Sequence, residues 1–217
     1  MTFQIADRAH IYAQLTTDNC SLPNRQLRNR KIRTQNHEWL TCMVASWCVG
    51  ESVLPDYLGL ECHDFAALKK HYFADYPLPD FAPSGKQLDF ERMLERQDLI
   101  NLLKKYSRPE VVESDWIIGL LVAGCLGDDH LWQDLGLWSR SQLTALLNYN
   151  FPELAARNTH DMKWKKFLYK QLCEEEGLYL CRAPSCQVCV DYGVCYGSEE
   201  AITETQALHT DESTMLI

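Results

Sequence analysis

Glu113-Ser-Asp-Trp116-Ile-Ile-Gly-Leu-Leu-Val-Ala-Gly-Cys125-Leu126-Gly-Asp128 is the stretch from which the fold can be read. Trp116 to Leu126 is the most apolar run in the chain, yet it is far shorter than the roughly 18 apolar residues that suggest a membrane span. Glu113, Asp115 and Asp128 bracket it with charge. It therefore reads as a buried core helix, spanning about 111–126, around which other helices must pack.

Working outward, apolar residues recur at helical spacing and strand alternation hardly occurs. Residues 3–15 form an amphipathic segment. Asn36 is placed to cap a helix running through Trp39, Met43 and Trp47 to Gly50, where glycine suits a C-terminal stop. Pro55 belongs to the turn that follows, and His63–Phe73 is helical. Tyr76-Pro-Leu-Pro-Asp-Phe-Ala-Pro-Ser-Gly85 is a connector, because its prolines remove backbone donors. From Phe90 through Leu94, Leu99, Ile100, Leu102 and Leu103 the pattern predicts one continuous helix, broken by Ser107-Arg-Pro109. Ser139 and Gln142 form a capping-box pattern ahead of Leu143, Leu146 and Leu147, and Phe151-Pro152 ends that unit. The expected fold class is all-α: one helical domain over residues 36–197, with a C-terminal cysteine-rich metal-binding loop.

The domain lies between two segments of opposite charge. Arg25, Arg28, Arg30, Lys31 and Arg33 make residues 1–35 basic, and residues 198–217 hold Glu199, Glu200, Glu204, Asp211 and Glu212 with no lysine or arginine. Both segments are expected to be mobile. The net charge of −9 disfavours broad nucleic-acid binding, which neutralises phosphates with basic side chains. The opening Met-Thr-Phe-Gln-Ile-Ala-Asp-Arg has no apolar signal core, so a reducing cytoplasm is the expected compartment.

Chemistry concentrates near the C-terminus, in Cys181-Arg-Ala-Pro-Ser-Cys186-Gln-Val-Cys189-Val-Asp-Tyr-Gly-Val-Cys195. Fully extended, its fourteen chain steps would reach about 46 Å at ~3.3 Å each, so four converging thiolates require a tightly wound path. Pro184 stops a helix from carrying Cys181 away, and Gly193 eases the last bend. Thiolates suit zinc, copper(I) and iron–sulfur clusters rather than calcium or magnesium. In a reducing compartment, disulfides are the weaker reading. Structural zinc usually takes two separated knuckles, whereas here one segment carries all four ligands, and C-x4-C-x2-C also opens the plant-type ferredoxin pattern. The spacing thus favours an iron–sulfur type of cluster, with zinc as the alternative.

Of the other cysteines, Cys20, Cys42, Cys48, Cys62 and Cys125 read as core or surface residues. Cys173 ends the helix leading into the loop, which makes it a candidate spare ligand or a thiol supporting the ligands. That helix sets Trp164, Phe167, Leu168 and Leu172 on one stripe and Lys163, Lys166 and Lys170 on the next. The lysines are either a solvated face or, with Arg182, a counter-charge for an anionic cluster or an oxyanion such as molybdate. His130 reads as a structural or capping group, with metal ligation as its second reading. Asp128 and Asp129 are expected to cap the next turn. No phosphate loop, G-x-S-x-G elbow or H-E-x-x-H motif is present, so hydrolase and nucleotide-binding readings lack residues.

Several runs together resemble the NifQ family of nitrogen fixation. They are Leu54-Pro-Asp-Tyr-Leu-Gly-Leu60, Cys125-Leu-Gly-Asp-Asp-His-Leu-Trp-Gln-Asp134-Leu-Gly-Leu137, Asn150-Phe-Pro-Glu-Leu154 and Met162-Lys-Trp-Lys-Lys-Phe167, followed by the cysteine loop. The resemblance covers about residues 38–197, and C-x4-C-x2-C-x5-C is its most specific element. A phenylalanine often follows the last cysteine in that family; Tyr196 keeps an aromatic ring there. The resemblance implies a carrier rather than an enzyme, one that holds a molybdenum–iron–sulfur cluster. It would supply molybdenum from a source such as molybdate to the iron–molybdenum cofactor under assembly on the NifEN scaffold with NifH. It also implies that Cys181, Cys186, Cys189 and Cys195 are the cluster ligands, with neither nucleic acid nor membrane as a partner.

Overall fold

The computed structural model describes residues 7–16 and 34–175, apart from 75, 86 and 112, and all regular structure among them is helical. Nine α-helices follow in order: α1 (Arg8–Thr16), α2 (Gln35–Cys48), α3 (Cys62–Tyr72), α4 (Arg96–Tyr106), α5 (Ser114–Gly124), α6 (Leu131–Asp134), α7 (Arg140–Asn150), α8 (Pro152–Ala155) and α9 (Trp164–Glu175). Two 3₁₀ turns, Asp56–Gly59 and Phe90–Arg92, lie between α2 and α4. The core is continuous, and no described helix is long and apolar enough to cross a membrane. The basic stretch at 25–33, the cysteine loop and the acidic tail lie outside the described residues.

The opening stretch forms the central helix as expected, trimmed to Ser114–Gly124, with Ile117, Ile118, Leu120, Leu121, Val122 and Ala123 all buried. Burying a large aliphatic side chain contributes about 1.5–3 kcal/mol. Gly119 and Gly124 allow the neighbours to come close: a Cβ on them would lie 2.5 Å from Leu60 Cδ2 and 2.8 Å from Leu135 Cδ2. Against α5 packs the 56–59 turn, where Tyr57 and Leu58 both adopt left-handed backbone angles, φ 55° and 60°. Such conformations persist only when the surroundings impose them. Here Trp47 Nε1 donates to Pro55 O (3.0 Å), Ala82 N to Asp56 Oδ1 (2.7 Å) and Tyr57 N to Asp80 O (3.0 Å), while Leu58 is fully buried.

Two expectations need correction. Asn36 does not cap α2; Thr34 stands at that position, and Asn36 points into the core. The hydroxyl of Thr34 instead meets Tyr72 Oη (3.0 Å) and Glu113 Oε1 (3.2 Å), and Tyr72 also donates to that carboxylate. Burial and the adjacent Glu113 carboxylate together push the Tyr72 phenol up. The helix expected from Phe90 is interrupted as well. Asp89 Oδ1 accepts from Glu91 N (3.1 Å) and caps a single 3₁₀ turn; Met93 then leaves helical geometry at φ −102°, ψ 82° and enters the core. Leu94 is left 87% exposed, and α4 begins only at Arg96. Periodicity could not show that a break at Met93 buries more than continuity would. In the N-terminal segment α1 packs on α2, Tyr12 meets Trp138 (5.1 Å between rings), and Arg8 lies over the same indole.

Ser139 caps α7 by accepting from Gln142 N (3.2 Å), but Gln142 Oε1 returns to Trp138 N (2.7 Å) rather than to Ser139 N, so the box is displaced by one residue. Phe151 and Pro152 end α7 and start α8 as expected.

Candidate metal centre

Cys181, Cys186, Cys189 and Cys195 lie outside the described residues, and so does Arg182. The structure describes the helix that precedes them in sequence. α9 carries the chain to Glu175, six positions before Cys181. Its stripe is buried as expected at Trp164, Phe167, Leu168 and Leu172, and Trp164 Nε1 donates to Thr144 Oγ1 of α7 (3.2 Å).

The first turn of α9 is fixed by a residue that the lysine pattern did not single out. Lys165 Nζ donates to Gly127 O (2.7 Å) and pairs with the Asp134 carboxylate, which is only 1% exposed. Burial pushes the Asp134 carboxyl up, and Lys165 opposes that shift. Gly127 leaves room for the carboxylate: a Cβ there would lie 2.3 Å from Asp134 Cγ. Cys125 is buried close by, its thiol pushed up to about 12 by desolvation. The only signal in the sequence was an aspartate next to an apolar stretch, in Trp132-Gln-Asp134-Leu-Gly-Leu137.

Glu175, the last described residue of α9, makes a second contact. Glu175 Oε1 accepts from Lys105 Nζ (2.7 Å) and Tyr106 Oη (2.9 Å) at the end of α4, and Lys105 beside it holds the carboxyl below the usual carboxylate range. Arg157 stacks over the Tyr106 ring (4.6 Å) and donates to Gln171 Oε1 (3.3 Å). Gln171 in turn donates to Glu174 Oε2 (2.6 Å).

Lys163, Lys166 and Lys170 are half-buried rather than a fully solvated face, and Lys170 pairs with Glu174 (3.6 Å). Cys173 is buried on α9. His130, not Asp128 or Asp129, stands at the N-cap of α6, and Gln133 Oε1 accepts from its backbone N–H (3.3 Å). Among the described residues no three His, Cys, Asp or Glu side chains converge as a metal set, so neither His130 nor Cys173 joins one there. Cys42, Cys48, Cys62, Cys125 and Cys173 stand as thiols, with Cys62 exposed and Cys20 outside the described residues.

With an all-helical core among the described residues and four closely spaced cysteines after its last described helix, comparison with known proteins gives a single answer. The family model described as NifQ matches residues 39–197. The chain is 42% identical over 175 residues to Protein NifQ of Azotobacter vinelandii, covering 76% of this chain and 89% of the relative. It is 33% identical to Protein NifQ of Klebsiella pneumoniae, covering 73% and 97%, and 33% identical to Protein NifQ of Rhodobacter capsulatus, covering 65% and 77%. No solved structure matches. The chain belongs to the NifQ family and so to nitrogen fixation.

Proposed function

We propose that this protein is a molybdenum carrier of the cytoplasm, not an enzyme. It holds a molybdenum–iron–sulfur cluster as cargo on Cys181, Cys186, Cys189 and Cys195 and donates molybdenum, drawn from a source such as molybdate, to the iron–molybdenum cofactor assembled on NifEN with NifH. The supporting observation is the four-thiolate segment itself, which falls within the residues matched by the family model. Four soft sulfur donors suit molybdenum held among iron and sulfide, and they suit hard cations poorly. A carrier also needs few preformed catalytic groups.

Elemental analysis of protein purified without oxygen, from cells given iron and molybdate, tests this reading. The intact chain is expected to carry iron and molybdenum, and a variant with the four loop cysteines replaced by serine is expected to carry neither. Stoichiometric zinc alone, in a colourless protein, would instead identify a closed structural site in a binding or regulatory module.

A further inference from the structure

We infer that the cleft between α3 and the 56–59 turn binds a small organic carboxylate with a planar apolar body. This site is independent of the four loop cysteines, because every residue that forms it lies in the described helical body.

The cleft measures about 510 Å³, inside the range of about 300–1,000 Å³ that small-molecule sites occupy. Cys62, Ala66, Lys69 and, just past the helix, Phe73 recur at helical spacing and give it one face of α3. Cys62 and Ala66 are small, which leaves this face hollow between the larger side chains. Tyr57 also lines the cleft and comes from the Leu54–Leu60 run, a stretch that contains no thiol. Its left-handed backbone is pinned through Asp80 and Ala82, and its ring is braced by Phe65 (5.8 Å between centroids) and Phe81 (6.0 Å). Strain of this kind concentrates at ligand sites, where the surroundings maintain it.

Charge selects the ligand. Among the described residues of the lining, Lys69 and Lys70 supply two cations against one carboxylate, Asp80. Asp80 Oδ1 already accepts from Lys69 Nζ (3.0 Å), and the same ammonium donates to Leu78 O (2.8 Å) and lies over the Phe65 ring. An ammonium has three N–H donors, so two hold Lys69 in place and the third can meet a ligand oxygen. A side chain fixed beforehand loses little freedom on binding. The positive excess favours an anion over a cation, and the Tyr57 and Phe73 rings favour a flat apolar body.

The test uses the full chain, purified without oxygen, in equilibrium dialysis against 2-naphthoate and its neutral isostere 2-naphthamide. Alkylation of Cys62 by iodoacetamide, read by peptide mass spectrometry, locates the site. 2-Naphthoate is expected to bind with a Kd of about 1 mM or tighter. At saturation it should slow Cys62 alkylation about fivefold or more, while glutathione in the same tube reacts at its usual rate. 2-Naphthamide is expected to bind about three- to fivefold more weakly, a comparison that tests charge in the unaltered protein. Lys69→Met should bring the two ligands to within about twofold of each other, and Lys69→Arg should keep the preference. Ala66→Trp fills the hollow at an exposed helix position and should remove binding with Tm within about 4 °C of the parent. No saturable uptake of 2-naphthoate up to about 10 mM, equal affinity for the amide, or unchanged binding in Ala66→Trp would each overturn the inference. Uptake that leaves Cys62 alkylation unchanged would place the ligand elsewhere and overturn it as well.

Discussion

Asn36 and Asn150 form a reciprocal amide pair in the core: Asn36 Nδ2 donates to Asn150 Oδ1 at 2.9 Å, and Asn150 Nδ2 donates to Asn36 Oδ1 at 2.8 Å. Both residues are fully buried, and 114 positions of sequence separate them. The pair sets the start of α2 against the end of α7, where Asn150 Nδ2 also reaches Leu146 O (2.9 Å). Removing one amide strands the other, at about 1–3 kcal/mol. Asn36→Ala is expected to lower stability in urea by about 2–3 kcal/mol with an unchanged m-value. The Asn36→Leu, Asn150→Leu double variant should lose clearly less than the sum of its singles; strict additivity would show that the amides do not act as a pair.

A buried ion pair predicts a sharper asymmetry at the start of α9. Lys165→Met leaves the Asp134 carboxylate uncompensated, at about 3–5 kcal/mol, whereas Lys165→Met with Asp134→Leu removes both charges and should recover most of that loss. Thermal and urea unfolding of the three proteins decide it. Gly127→Ala should resemble the single variant, because the added methyl collides with the same carboxylate; wild-type stability in Gly127→Ala would contradict the geometry.

Thiol chemistry should sort the cysteines of the helical body. Burial raises the thiols of Cys42 and Cys48 to about 11 and that of Cys125 to about 12. Thiolate is the nucleophile, so these three should resist iodoacetamide at pH 8 in the folded protein, while exposed Cys62 is alkylated. Mass spectrometry of peptides after a timed quench reads the order, and rapid labelling of Cys125 would mean that the α5–α6 junction opens.

The contact of Glu175 with Lys105 has a defined pH signature. Its carboxyl is depressed in the folded state, chiefly by the hydrogen bond from Lys105, so its contribution is present above the unfolded carboxylate value near 4.3 and is lost as pH falls through the lower folded value. Tm of the parent minus Tm of Glu175→Gln should be small and positive at pH 6 and shrink toward zero below about pH 4. A difference that grows on acidification would have the wrong sign for this contact.

Periodicity and breaker residues were sufficient to read the class of fold in the sequence. The apolar run at Trp116–Leu126, the stripe of Trp164, Phe167, Leu168 and Leu172, and the Ser139–Gln142 cap are local patterns, and local patterns survive into the fold because the helix is itself a local structure. The spacing of Cys181, Cys186, Cys189 and Cys195 is likewise a local pattern of the sequence. The break at Met93, the left-handed turn at Tyr57 and Leu58, and the burial of Asn36 were not legible. The turn is tied to Asp80 and Ala82, and Asn36 to Asn150, partners distant in sequence. The same holds for the two charge contacts that secure α9: Lys165 meets Asp134 across 31 positions and Glu175 meets Lys105 across 70. Sequence by itself determined an all-helical body ending in four thiols. Tertiary structure decided which charged side chains hold α9 in place, because electrostatic pairing depends on distance in space and on burial, neither of which sequence spacing specifies.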